Sequence, residues 1–165
     1  MVRLLAARRG ASLRPERRCS ALAVEVVLGG RRLALAVPES YMNESGLAVR
    51  ALARRHSVED LAQLVIVHDE LDLPVGTVRV KRGGGIAGHN GLRSVQAHLH
   101  SLEFVRVRVG VGRPPGRTAG ADYVLRRPSR SEAEELATAF EVAADAVESI
   151  LADGPDAAMN AFNAR

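Results

Sequence analysis

The sequence predicts an α/β fold in a single domain, a mixed twisted sheet flanked by helices, and three stretches carry that expectation. The apolar run "LVIV" at 64–67 has the continuous character of a strand buried on both faces. "FVRVRVGV" alternates with period two, Val105, Val107, Val109 and Val111 on one face and Arg106 and Arg108 on the other. Residues 131–152 carry Leu136, Phe140, Ala143, Val147 and Ile150 at helical spacing with acids between them, which predicts an amphipathic helix. At 165 residues and 47% hydrophobic content, the chain is long enough to bury one core.

Taken in order, residues 1–20 hold Arg8, Arg9, Arg14, Arg17 and Arg18 but no strand-like run, and are read as a basic segment ahead of a domain at 21–165. "ALAVEVVL" and "RRLALAV" are β-rich and meet at Gly29-Gly30, a hairpin signal. A helix is expected after "YMNES", with Leu47, Val49, Leu52 and Ala53 on its inner face. Ser57 and Asp60 have the spacing of a capping box for a further short helix. The 64–67 strand ends at His68-Asp69, where open α/β sheets place ligands. "DELDLPVG" is a loop, "TVRVK" a strand and "GGGIAGHNG" a turn. Residues 89–100 form a helix burying Leu92, Val95 and Leu99. The Arg106 and Arg108 face of the following strand calls for water or an anion.

The bulk numbers narrow the function classes. No run approaches the roughly 18 apolar residues of a membrane span, and the start has too short an apolar stretch for a secretory signal, so a cytoplasmic protein is expected. Cys19 has no partner for a disulfide or a CxxC site. Net charge is +4 with Lys81 the single lysine, and residues 131–165 hold eight acids against one Arg, net −7, which leaves +11 for residues 1–130. That asymmetry suggests an anionic partner for the body of the domain. Aromatics at 3% provide no platform for stacking bases, so phosphate recognition is expected instead.

Each candidate residue has a plain alternative. His68, His98 and His100 read as surface or packing residues, and His56, at a helix end in "RRHS", as a partner of the helix dipole. The glycines at 83–85 lack the spacing of a nucleotide-binding loop, although a glycine loop before a helix can bind phosphate. Asn43 can serve as an ordinary helix cap.

Four segments in this order go further: "PESYMNESGLAV", "HDELDLPVG", "GGGIAGHNGLRS" and "FVRVRVGVGRP", with "DYVL" and the amphipathic helix behind them. Through them the chain resembles the bacterial-type peptidyl-tRNA hydrolases from about residue 20 to the C-terminus. The resemblance implies a hydrolase without metal or cofactor that cleaves the ester between peptide and terminal ribose in peptidyl-tRNA, its partner. It implies no obligatory protein partner. Asn43 would bind the peptidyl part or the water near the ester, with Tyr41 and Met42 shaping the cleft. Asn90 would supply a second amide, with His89 beside it in a supporting role. Lys81 and Arg108 match the basic pair that clamps the tRNA 5′ phosphate.

Asp69 matches the carboxylate that orients a catalytic histidine. The family places that histidine in a segment resembling "TRHNVG", after a first strand and a "GNPG" turn, and residues 1–20 contain no such segment. The resemblance therefore implies a chain truncated at its N-terminus relative to the family pattern, without the family's first central strand. It would lack a base worth about 10²–10⁴-fold in rate. The alternative is a non-catalytic tRNA- or RNA-binding protein of the same fold. Val37, Ser40 and Ala87 replace the Lys, Thr and Gly common in the family, and only the first removes a basic contact.

Overall fold

Residues 1–20 hold a helix, α1 (Val2–Ala7), a short strand, β1 (Arg14–Glu16), and a 3₁₀ turn, Arg17–Cys19, in the computed structural model, which describes residues 1–114 and 120–164. "RPE" contains no residue that favours a strand. Its conformation comes from pairing, Arg14↔Ala23 and Glu16↔Ala21, on the neighbouring strand. The chain divides into two units. One, here the hairpin unit, comprises Val2–Val65 and Arg82–Val105; the other, the sheet unit, comprises Met1, Ile66–Lys81 and Arg106–Arg165.

In the hairpin unit, β2 (Ala21–Leu28) and β3 (Arg31–Pro38) run antiparallel and β1 extends the sheet. Gly29 and Gly30 take φ of 55° and 75°, the left-handed values that a two-residue turn matched to strand twist requires. α1 packs on β3 and buries Leu5 and Ala6. Two further helices, α2 (Ser45–Arg55) and α3 (Asn90–Leu99), pack against each other. Their approach is set at one point: Gly46 N–H donates to Ser94 Oγ at 3.0 Å, and a Cβ on Gly46 would stand 2.1 Å from the Ser94 carbonyl oxygen. This contact decides which face of α2 turns inward. Gly46, Ala48, Val49 and Ala53 are buried, whereas Leu47, expected inside, is 49% exposed and Leu52 only half-buried. On α3, Leu92 and Val95 are buried as expected and Leu99 is half-buried.

The expected capping box at Ser57 takes another form. Asp60 caps the 3₁₀ turn Leu61–Gln63, its Oδ1 accepting from Ala62 N–H at 2.8 Å, while Ser57 has a left-handed φ of 53° where the chain leaves α2.

The sheet unit is built on β4 (Val65–Glu70), β5 (Val78–Arg82) and β6 (Val105–Gly110), in the order β4-β6-β5. Val105 N–H bonds to Leu64 C=O and Val111 N–H to Glu70 C=O, so β4 and β6 run in the same direction. Gly83 N–H bonds to Phe104 C=O and Gly110 N–H to Thr77 C=O, so β5 runs opposite to β6. The sheet is mixed.

Two expectations exchange places here. β6, read as half-solvated, is the central strand and is buried except at the half-buried Arg108, with Arg106 at 3% exposure. β4, read as buried on both faces, is an outer strand and half-buried over most of its length. Alternation and apolar runs report side-chain chemistry, while burial also depends on a strand's place in the sheet.

Helices α4 (Gly120–Leu125), α5 (Arg130–Asp153) and α6 (Pro155–Asn163) complete this unit. α5 buries Ala139, Ala143, Ala144, Ala146, Val147 and Ile150, and leaves Phe140, expected inside, 38% exposed. At the end of α6, the Asn163 side chain accepts from Val80 N–H and donates to Val80 C=O, both at 2.9 Å.

Candidate active site

The hairpin unit brings together five of the predicted site residues. Tyr41 precedes a 3₁₀ turn, Met42–Glu44, which is closed by Glu44 N–H on Tyr41 C=O at 2.9 Å and by Ser45 Oγ donating to Met42 C=O at 2.9 Å. The turn packs against α3. Gly91 makes that packing possible, because a Cβ there would stand 2.6 Å from Met42 Sδ and 2.9 Å from His89 Cε1. Asn43, on the turn, and Asn90, first residue of α3, thus stand on touching elements, and both are exposed. The Asn43 side chain makes no hydrogen bond among the described residues. Asn90 Oδ1 accepts from Arg93 Nη1 at 3.3 Å, an arrangement that leaves its amide N–H groups as donors. Tyr41 and Met42 are 81% and 55% exposed, an apolar surface beside two amides.

His89 caps α3, its Nδ1 accepting from Leu92 N–H at 3.2 Å. The Nδ1 lone pair is thereby engaged by the helix start, and the ring serves as the cap of α3. The glycine stretch is a turn: Gly83, Gly84 and Gly88 have φ of 65°, 93° and 77°, and Ala87 joins them at 45°. With Leu92 N–H taken by His89, one of the donors a phosphate would need at this helix start is already in use.

The other three predicted residues lie in the sheet unit. Asp69 is the penultimate residue of β4 and half-buried, next to His68, whose Nδ1 is 2.7 Å from the Asp69 carbonyl oxygen. The β5–β6 bonds place Lys81 opposite Arg106 and Arg79 opposite Arg108, so Lys81 and Arg108 share a face as diagonal neighbours, roughly 7–8 Å apart at Cα. Lys81 is exposed and has no partner among the described residues. Arg108 Nε donates to Glu70 Oε2 at 3.0 Å, and Glu70, 8% exposed, also accepts at Oε1 from Asp72 N–H at 3.3 Å.

Glu70 is the residue beside Arg108 that sequence reasoning did not single out. It holds one guanidinium edge and leaves the terminal nitrogens of Arg108 for another ligand. Its signal was present in "HDEL", but pairing it with Arg108 requires knowing that β4 and β6 are neighbours.

These elements define an α/β protein that sets hydrogen-bonding groups on helix starts and strand ends. Residues 1–165 match the peptidyl-tRNA hydrolase family along their whole length, and the chain belongs to that family. It is 52% identical over 156 residues to the peptidyl-tRNA hydrolase of Rhodococcus erythropolis, a match covering 94% of this chain and 82% of that protein. The enzyme from Frankia casuarinae is 49% identical, with 99% and 82% covered. The crystal structure of peptidyl-tRNA hydrolase from Acinetobacter baumannii superposes with a TM-score of 0.91 at 31% identity, over 99% of this chain and 82% of that one. The family match begins at residue 1, which corrects the expectation that the likeness starts near residue 20; α1 and β1 lie within the matched region. No helix among the described residues is long and apolar enough to cross a membrane.

Proposed function

We propose that the protein hydrolyses the ester between peptide and 3′-terminal ribose in peptidyl-tRNA, in the cytoplasm, releasing a peptide carboxylate and a tRNA with a free ribose hydroxyl. The observation that carries this reading is the pair of outward amides, Asn43 and Asn90, held on packed elements by the missing side chain of Gly91. They hydrogen-bond the peptidyl part, with the exposed Tyr41 and Met42 covering its apolar atoms. His89 is a positioning residue that holds the start of α3 and thereby Asn90. By the family resemblance, Asp69 is the carboxylate that would orient an imidazole base and stabilise its charged form. Lys81 and Arg108 bind a tRNA phosphate, Arg108 presented by Glu70. No step draws on a metal or cofactor.

The test is release of an N-acylated amino acid from N-acylaminoacyl-tRNA by the whole protein. Release that persists in excess chelator is expected. Asn43→Ala and Asn90→Ala should each raise KM about tenfold, the size of one lost hydrogen bond. A protein that binds the tRNA and leaves the ester intact would overturn the reading.

A further inference from the structure

The first N–H groups of a helix have no acceptor within it, and α2 supplies no cap of its own. Its N-cap residue, Glu44, makes no side-chain cap bond, and Gly46, at the second helical position, is buried. The acceptor for Gly46 N–H comes from the other helix: Ser94 Oγ, 3.0 Å away, on a residue only 6% exposed. α2 is thus capped from α3. The surroundings of the bond are filled. A Cβ on Gly46 would stand 2.1 Å from the Ser94 carbonyl oxygen and 2.6 Å from His98 Nδ1, which is itself 2.8 Å from that carbonyl.

The place of this bond relative to the two amides gives it a further use. Asn43 precedes Gly46 by three residues and Asn90 precedes Ser94 by four, so the bond lies about one helical turn, roughly 5–6 Å, beyond each amide along its own element. Nearer the amides, the same elements touch through Met42 Sδ and Gly91. A thioether on a flexible side chain can repack, whereas a hydrogen bond to a buried N–H holds one distance and direction. Ser45 Oγ, donating to Met42 C=O at 2.9 Å, ties the turn to the start of α2, so a shift of Gly46 carries Asn43 with it. We infer that Ser94 is a positioning residue: its hydroxyl oxygen, through Gly46 N–H, fixes the Asn43 amide at the separation from Asn90 at which both reach one peptidyl group. This role rests on the function proposed above, in which the two amides hold that group. Ser94 acts through them and does not touch the substrate.

The test is steady-state hydrolysis of N-acylaminoacyl-tRNA by the whole protein as the parent, Ser94→Ala, Ser94→Cys, Ser94→Thr and Val95→Ala, each with and without Asn43→Ala. Ser94→Ala should raise KM about tenfold and leave kcat within about twofold, because an amide held out of place loses binding of the peptidyl group. Ser94→Cys keeps the size and weakens the acceptor, so it should shift KM in the same direction and carries the test if Ser94→Ala does not fold. Ser94→Thr keeps the oxygen and should bring KM back towards the parent. Val95→Ala, at a neighbouring position of α3 that is 2% exposed, lowers stability by leaving a cavity and should leave KM unchanged. In the Asn43→Ala background, Ser94→Ala should change KM by less than about twofold, since the amide it positions is gone. Affinity for deacylated tRNA, which carries no peptide, should be the same in all forms. A parent that does not cleave the ester overturns the proposed function and this role with it. If the parent cleaves, and loss of the Ser94 oxygen leaves KM unchanged or raises it by the same factor with and without Asn43, the positioning role alone is overturned.

Discussion

Met42 reaches the start of α3 only because position 91 has no side chain, and Gly46 lets α2 reach Ser94 in the same way. The two glycines should fail differently. A Cβ at 91 meets the flexible end of a methionine, at 2.6 Å, whereas a Cβ at 46 meets a backbone oxygen at 2.1 Å. Gly91→Ala is therefore expected to stay within about 1–3 kcal/mol of the parent while raising KM, and Gly46→Ala to reach or exceed the top of that range. Urea unfolding beside substrate kinetics checks both. Glu70→Ala removes the partner that fixes Arg108 and should weaken tRNA binding, with Glu70→Gln retaining part of it. Asn43, Asn90, Asp69 and Arg108 could be singled out in the sequence because each stands in one of the four segments that carry the family resemblance, and Lys81 through the resemblance itself. Glu70 and the role of Gly91 could not, because each acts through a residue distant in sequence.

At the scale of elements, α5 starts on a reciprocal cap. Ser129 Oγ accepts from Glu132 N–H at 3.3 Å, and Glu132 returns a bond to Ser129 N–H at 2.7 Å. Ser129→Ala should cost about 1 kcal/mol. The guanidinium of Arg126, which also lies over the Tyr123 ring, holds the Glu132 carboxylate, and together with the Ser129 bonds it lowers the Glu132 pKa from 4.5 to about 2. A carboxylate depressed on folding stabilises the fold above its unfolded pKa and loses that contribution as pH falls through the folded value. Thermal stability should accordingly decline between pH 4.5 and about 2, and Glu132→Gln should flatten that decline. The existence and extent of α5 were readable from its period, as the hairpin was from Gly29-Gly30. Its packing was not. Six small or β-branched positions line the buried face, and Phe140, whose hydrophobicity alone suggested the interior, lies at its margin.

For the whole molecule, charge is distributed unevenly: residues 131–165 carry net −7 and residues 1–130 carry +11. Affinity for tRNA should therefore fall steeply with salt through counterion release, as a filter-binding titration would show. This asymmetry could be counted from the sequence. The division into two units could not, since each is assembled from segments far apart in the chain. The amide of Asn163 has its consequence at this scale too. β5 is an outer strand, and such a strand exposes N–H and C=O groups that can template the strand of another molecule. By occupying both groups of Val80, Asn163 does the work of one further residue pair and closes that template. Asn163→Ala should leave the ester chemistry intact but open a route to intermolecular strand pairing, seen as concentration-dependent light scattering on storage. A single side-chain amide near the C-terminus thus occupies both backbone groups through which Val80 could otherwise pair with another chain.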